Sequence, residues 1–343
     1  MKINEYEVAD KDAWESYVKQ SSHATLYHRI GWKTVIENSF KHKTYYLMAR
    51  EGSEVLGILP LVFIKHWFMG RFLVSMPYLN YGGVCAETEE VERCLVDEAV
   101  RIARDEKADY VELHQLKRLD LEIPTTEDKV AMFRELGSDP EAIMRSLHKK
   151  VRYKIRKAEE HGLQFEVCGP EALARFYDLF VRGMRSLGSP AFDKRFFEWI
   201  FREFPGEMKI AMVRYDGKII ATAISGSFRD MVDGLWASSV PDFQNLYPNE
   251  FMYWKHLEYA CKEGFRYFNF GRSSRESGPF EFKKKFGAQV QPLYYQYCTN
   301  KKNQLHKVSY EGRQYQVASN IWRHLPLSVT KIIGPRLRKY MPQ

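Results

Sequence analysis

Tyr46-Leu-Met-Ala-Arg-Glu-Gly-Ser-Glu-Val-Leu-Gly57 and Ile210-Ala-Met-Val-Arg-Tyr-Asp-Gly-Lys-Ile-Ile-Ala221 decide the fold. Each stretch runs apolar, halts at an acidic residue followed by glycine, and resumes apolar, which reads as strand, tight turn, strand. Glu51-Gly52 and Asp216-Gly217 supply the turns, because glycine takes the positive φ that a tight hairpin needs. Met48 and Arg50 recur as Met212 and Arg214 at a constant offset. Working outward, residues 89–106 carry a helical pattern that leads into the strand Tyr110-Val-Glu-Leu-His, and residues 249–263 lead into Tyr267-Phe-Asn-Phe in the same way. Ala103, Glu106 and Tyr110 repeat as Ala260, Glu263 and Tyr267. Two helical segments open each half, at 12–19 and 29–37, then at 171–185 and 193–203. Helix, helix, hairpin, strand, helix, strand therefore occurs twice. The reading is a duplicated α/β (α+β) domain.

Size and composition agree. A chain of 343 residues and 40.5 kDa suggests two domains. With 45% apolar and 15% aromatic residues it has material for real cores, which excludes intrinsic disorder. Its longest strongly apolar stretch, 55–64, falls short of the roughly 20 residues that cross a bilayer. Residues 1–10 show no cationic start followed by an apolar run, so the expectation is a cytoplasmic protein without a secretory signal. The five cysteines are odd in number and scattered, with no CxxC, which argues against a disulfide framework or a zinc knuckle. A net charge of +8 draws anionic partners (RNA, a phosphorylated carrier or a membrane face) or serves solubility alone.

Between the copies, residues 138–162 read as one helix. Ser138 or Asp139 caps it, Pro140 suits its first position and Gly162 its end. Met144, Leu147, Val151, Ile155 and Ala158 form one apolar stripe, while Arg145, Lys149, Lys150, Arg152, Lys154, Arg156 and Lys157 crowd the other faces. Such a run is either a solvated face or an anion-binding surface, with Lys149, Arg152 and Arg156 as candidate donor-binding residues. The divisions are thus 1–137, the connecting helix 138–162, 163–300, and a basic amphipathic tail 301–343. Pro326 and Pro335 break that tail into short pieces. It either lies at a membrane surface or docks its apolar side on the second domain.

For chemistry, no GxSxG, GxxxxGK[ST] or HExxH occurs, and the ten histidines show no metal-ligand spacing, so no metal site is expected. Two loops stand out. In the first, Tyr78, Asn80 and Tyr81 precede Gly82-Gly83, where a backbone can approach a ligand closely. In the second, the strand ending at Phe270 opens into Gly271-Arg272-Ser273, and the chain returns through Gly278 to Lys283-Lys284-Lys285 between Phe282 and Phe286. Strand ends of α/β sheets are where ligands bind, and Arg272 suits a carboxylate or phosphate. The flanking phenylalanines are expected in the core, aiming the lysine triplet at the same mouth.

These motifs, Pro77-Tyr-x-Asn-Tyr-Gly-Gly, Ile155-Arg-Lys-Ala within the basic helix, and Phe270-Gly-Arg-Ser with Phe282-Lys-Lys-Lys-Phe-Gly-Ala, resemble the FemAB-like family. The resemblance spans nearly the whole chain and points to the bacterial branch associated with exosortase/PEP-CTERM and exopolysaccharide systems. It implies two tandem GNAT-like domains, each a mixed sheet flanked by helices. It also implies transfer of an acyl or aminoacyl group, from aminoacyl-tRNA in better-known members, to an amine of a peptidoglycan precursor. The long helical arm that some members insert is missing from this chain.

A CoA-dependent GNAT needs a Gly-rich loop before its central helix to hold the pyrophosphate. Residues 238–249 contain no glycine there, and residues 84–90 place acids at the first copy's helix start. No CoA cofactor is therefore expected. Attack of an amine on an activated ester needs positioning and proton removal rather than a covalent nucleophile. Asp233, on a strand, and Glu250, at a helix start, are the candidate bases. Each has an ordinary alternative, beside a turn glycine and as a favourable charge at a helix N-terminus. Three readings result. The first is a Fem-type transferase acting on a cell-envelope or exopolysaccharide precursor. The second is a GNAT-like N-acyltransferase fed by an acyl carrier protein, and the third a non-catalytic basic module for RNA or lipid. Peripheral contact with the inner face of a membrane, through the tail, is compatible with each.

Overall fold

Both hairpins turn where glycine was read, at Gly52 (φ +60°) and Gly217 (φ +72°). The computed structural model describes residues 1–66, 70–299 and 313–341. Two compact units result. One takes in Met1–Lys129, the chain from Pro292 and a short C-terminal piece from Lys339. The other takes in Val130–Gln291 and the C-terminal helices as far as Arg338.

The first unit runs β1 (Lys2–Glu5), α1 (Lys11–Gln20), α2 (Gly31–Phe40), β2 (Lys43–Glu51), β3 (Glu54–His66), β4 (Gly70–Ser75), β5 (Cys85–Ala86), α3 (Glu89–Asp105) and β6 (Tyr110–Gln115). β2 and β3 pair antiparallel from Glu51↔Glu54 outward. β4 and β6 pair in parallel, as a strand–helix–strand crossover requires. Thr88 caps α3 by accepting from the Val91 amide. Val91, Leu95, Ala99 and Ile102, spaced by three or four, then lay that helix on Leu47, Leu59, Leu61 and Leu73 of the sheet.

The strand β7 (Thr125–Glu135) leads on to α4 (Pro140–Ser146), α5 (Lys149–Glu160), β8 (Gln164–Cys168), α6 (Leu173–Ser186), α7 (Lys194–Glu203), β9 (Met208–Tyr215), β10 (Lys218–Phe228), β11 (Met231–Ser239), α8 (Pro248–Lys262), β12 (Tyr267–Ser274), α9 (Gly278–Lys285) and β13 (Gln289–Thr299). The order found in the first unit returns, so the duplication read from the sequence is present in the structure. β9–β10 is the hairpin, β11 and β12 are the parallel pair, and α8 is the crossover. Trp254, Leu257 and Ala260 pack α8 on Val232, Phe268 and Phe270.

Two features differ from the sequence reading. The basic helix is two helices, because Leu147 is extended (ψ 150°) and His148 starts anew as the cap of α5. The His148 amide bonds to the Lys285 carbonyl (3.1 Å) and its ring accepts from the Lys150 amide (3.2 Å), so local partners replace helix continuation. The units also exchange strands. The end of β7 belongs to the second unit, beside β12. The end of β13 returns to the first, where Tyr294–Thr299 pair antiparallel with Gln115–Tyr110 of β6.

Of the tail, residues 301–312 lie outside the described residues. Beyond them come α10 (Arg313–His324) and α11 (Leu327–Arg338), separated at Pro326. Pro335 sits inside α11 instead of ending it, where it lacks the backbone donor that would reach the Lys331 carbonyl.

Candidate functional site

In the second unit the parallel ladder of β11 and β12 covers only Met231↔Tyr267, Val232↔Phe268 and Asp233↔Asn269. Beyond it β11 stays with β10, while β12, with β7 on its other side, parts from β11 through Phe270, Gly271, Arg272 and Ser273. The strands fork at their C-terminal ends, the usual ligand position in such sheets.

A hydrogen-bond chain fixes the base of the fork. Asn269 Nδ2 donates to Asp233 Oδ1 (2.6 Å), and the Gly271 amide donates to Asn269 Oδ1 (2.8 Å). Gly271 turns at φ +74°, the left-handed region that glycine tolerates. Asp233 is 2% exposed and Asn269 wholly buried, so this link is shielded from water. Ser273 is buried with an unpartnered Oγ, and Arg272 is half-buried.

α9 closes the fork from one side. Ser277 caps it by accepting from the Phe280 amide (3.3 Å). Phe280, Lys283 and Phe286 follow at three-residue spacing and all three are buried. Lys283, 6% exposed, donates from Nζ to the carbonyls of Gly271 (3.1 Å) and Arg272 (3.0 Å). Burial, and secondarily the Arg272 charge, push its pKa down to about 7. When neutral, the amine spends two N–H bonds on two carbonyls and keeps its lone pair for an incoming proton. Lys284 and Lys285 are exposed, so the triplet divides instead of pointing together. Its neighbours anchor the helix end. The Arg134 guanidinium bonds the Phe286 carbonyl, and a Cβ on Gly287 would collide with Arg134 Nη1.

The remaining sequence candidates fall in other places. Glu250 is buried in the first turn of α8, where Lys154 Nζ of α5 lies 2.7 Å from its Oε1. Lys149 and Arg156 are exposed on α5 and Arg152 half-exposed, while Val151, Ile155 and Ala158 face the core. Tyr78, Asn80, Tyr81, Gly82 and Gly83 gather in the first unit. There the Tyr78 hydroxyl donates to the Lys339 carbonyl (2.5 Å), and Asn80 Nδ2 donates to the Tyr27 hydroxyl (2.7 Å). Tyr81 packs edge-on against Tyr27 at 4.7 Å. Gly82, at φ +133°, donates its amide to the His114 carbonyl. A Cβ on Gly83 would meet the Gln115 side chain at 2.5 Å, and its carbonyl lies 3.1 Å from His28 Nε2. Burial holds the His28 pKa down at about 4.

Asp233, read as a candidate base, and Arg272, Ser273 and Lys283, read separately as one ligand mouth, all lie at the fork. Sequence reading overlooked Asn269, the link between Asp233 and Gly271, and the separate standing of Lys283. The latter had a signal: a lone lysine in register with Phe280 and Phe286 on the apolar side of a short helix.

Comparison with known proteins supports the architecture. Residues 145–284 match the model of the acetyltransferase (GNAT) domain, a span that contains the whole fork. No curated protein matches the chain in sequence. Among solved structures, FemX is similar with a TM-score of 0.68 and 15% identity, over 86% of this chain and 97% of that one. The C-terminal domain of a putative lysylphosphatidylglycerol synthetase from Agrobacterium fabrum gives 0.59 and 15%, over 85% and 92%. A tandem GNAT protein from the clavulanic acid biosynthesis pathway gives 0.55 and 10%, over 88% and 99%. The duplicated element order and these likenesses lead to one conclusion: the chain folds as two GNAT-like domains in tandem, and its second copy carries the matched acetyltransferase-type domain.

Proposed function

We propose that the fork of β11 and β12 transfers an aminoacyl or acyl group to an amine of a cell-envelope or exopolysaccharide precursor. The observation that carries this reading is Lys283, a buried lysine titrating near neutrality at the C-terminal ends of two diverging parallel strands. The amine nitrogen attacks the carbonyl carbon of the ester or carrier thioester, the nitrogen–carbon bond forms, and the bond to the leaving oxygen or sulfur breaks. Neutral Lys283 takes the proton that the attacking nitrogen sheds. The ammonium so formed returns a proton to that leaving oxygen or sulfur, so charge balances within the site. Arg272 holds an anionic part of donor or acceptor at the mouth. Asp233 acts through Asn269 to hold Gly271, and with it one of the carbonyls that orient Lys283.

The donor in this proposal is not CoA. Residues 238–249, ahead of α8, contain no glycine to open backbone amides to a pyrophosphate, and Glu250 adds a carboxylate to the first turn of that helix. The donor is an anionic carrier, aminoacyl-tRNA or an acyl carrier protein, lying along the exposed cations of α5. The test is transfer from radiolabelled aminoacyl-tRNA, and separately from a carrier-bound thioester, to amine-bearing envelope and polysaccharide precursors. Product formed by the wild type and lost in Lys283→Ala supports the reading. Equal turnover by both proteins, or transfer from acetyl-CoA alone, refutes it.

A further inference from the structure

The chain's positive charge is not evenly spread. Residues 1–300 hold 43 Lys+Arg against 43 Asp+Glu, whereas residues 301–343 hold nine against one. The entire net charge of +8 therefore lies in the C-terminal stretch. Within its described part, α10 and α11 contain no acidic residue.

Both helices have a docked side. On α10, Trp322 is buried, and Ser319 lies so close to Gly188 that a Cβ there would collide with the serine Oγ. On α11, Thr330 and Gly334 are buried one turn apart, and the Arg338 guanidinium lies 4.5 Å over the Phe192 ring. Lys331 pairs with Asp178 of α6 at 2.9 Å. The tail is therefore anchored on the second unit, and its undocked side is a fixed surface.

That undocked side carries a cluster of large aliphatic side chains. Val317 and Ile321 are exposed one turn apart on α10, and Ile332, Ile333 and Leu337 are exposed on α11, with values from 40% to 62%. Leu187, beside the glycine on which α10 rests, is 65% exposed. Six of the ten large hydrophobic side chains exposed among the described residues thus fall in this one region. Exposed Arg323 and Arg336 stand among them.

We propose that the outer face of α10 and α11 docks on an anionic lipid bilayer, its aliphatic side chains in the interface and its arginines against lipid phosphates. Aliphatics alone would suit a second copy of the chain, but that would set one cationic face against another. Cations alone would suit a nucleic acid, which has no use for a row of isoleucines. A bilayer with anionic headgroups satisfies both. Among the described residues no helix is long and apolar enough to cross a membrane, so this face lies on the surface. The proposal is independent of the transfer reaction and is tested without it.

The experiment is co-sedimentation of the full chain with phosphatidylcholine vesicles, with and without roughly one third phosphatidylglycerol. The wild type should pellet with the anionic vesicles and less with the neutral ones, and added salt should weaken the binding. Ile321→Glu, Ile332→Glu and Leu337→Glu combined should cut binding roughly tenfold or more, equivalent to about 1.4 kcal/mol, without shifting thermal unfolding. If that protein does not fold, Arg323→Gln with Arg336→Gln decides the matter, because it should erase the preference for anionic vesicles. A wild type that stays in the supernatant overturns the proposal, as does a well-folded triple variant that binds unchanged. So does a wild-type dimer in solution that the triple variant dissociates, which would give the face to a second copy.

Discussion

Lys283, which we propose as the proton acceptor of the site, is a side chain whose burial works against the fold. Its pKa of about 7 lies below the ordinary 10.5, so the folded protein releases this proton before the unfolded chain does. Between pH 7 and 10.5 the unfolded chain binds more protons, and stability gains as pH rises through that window. Below pH 7 the penalty is present in full, on the order of 3–5 kcal/mol. Lys283→Met removes that penalty but takes one partner from the Gly271 and Arg272 carbonyls, at about 1–3 kcal/mol each. The pH-dependent part is what the variant isolates: relative to the wild type, the Met protein should gain about 3–5 kcal/mol against denaturant between pH 10 and pH 6. No transfer activity should remain. In the wild type the rate should fall as pH drops through about 7, because the neutral amine is the working form. Lys283→Arg, which cannot release its proton, should be inactive at every pH. A rate profile flat from pH 6 to 8 would remove Lys283 from the proton path.

At the scale of single elements, the sequence was informative wherever periodicity alone decides structure. Val151, Ile155 and Ala158 announce the buried stripe of α5, and they are the residues that face the core. The break before α5 was not legible, because it depends on the Lys285 carbonyl, more than a hundred residues away, capturing the His148 amide. The same holds for α9. Its phenylalanines announce a core helix, but only the turn at Gly271 determines that Lys283, and neither Lys284 nor Lys285, reaches the fork. Two predictions belong here. Replacing Lys149, Arg152 and Arg156 with Ala leaves the α5 stripe intact, so the melting temperature should hold. Affinity for tRNA or for an acidic carrier should fall, and the slope of log affinity against log salt should flatten by roughly one for each phosphate no longer engaged. Unchanged binding and slope would leave α5 a solvated face. Phe286→Ala empties a site with no exposure, among Phe270, Phe282 and Tyr253, and should cost about 3–5 kcal/mol in denaturant unfolding. A loss below about 1 kcal/mol would mean that the surrounding rings close over the gap.

For the molecule as a whole, the duplication was legible in two hairpins and two helix–strand pairs, yet the strand exchange was not. β7 and β13 lie beyond the last strand read in each copy, and nothing local in either sequence says where they pair. In the first unit the consequence is physical. Leu293, Tyr295 and Tyr297 of β13 are buried, and the Tyr295 ring stacks on His114 at 4.2 Å. Gln296, fully buried, accepts from the Leu119 amide (2.8 Å) and donates to the Leu119 carbonyl (3.1 Å). A fragment of residues 1–129 retains the helices and the strands β1–β6 but has none of this packing. It leaves the six residues of β6 as an open edge of backbone donors and acceptors, the arrangement that invites aggregation. That fragment should therefore be aggregation-prone and exchange its 110–115 amides rapidly. A peptide covering residues 289–299, added in trans, should restore protection there and bring the fragment into solution. Hydrogen exchange measured by mass spectrometry gives the answer directly. If the fragment alone protects 110–115 as well as the intact chain does, the first copy folds without its borrowed strand. If protection appears only with the peptide, the first GNAT-like copy is not a free-standing domain, because it completes its sheet with chain encoded in the other half.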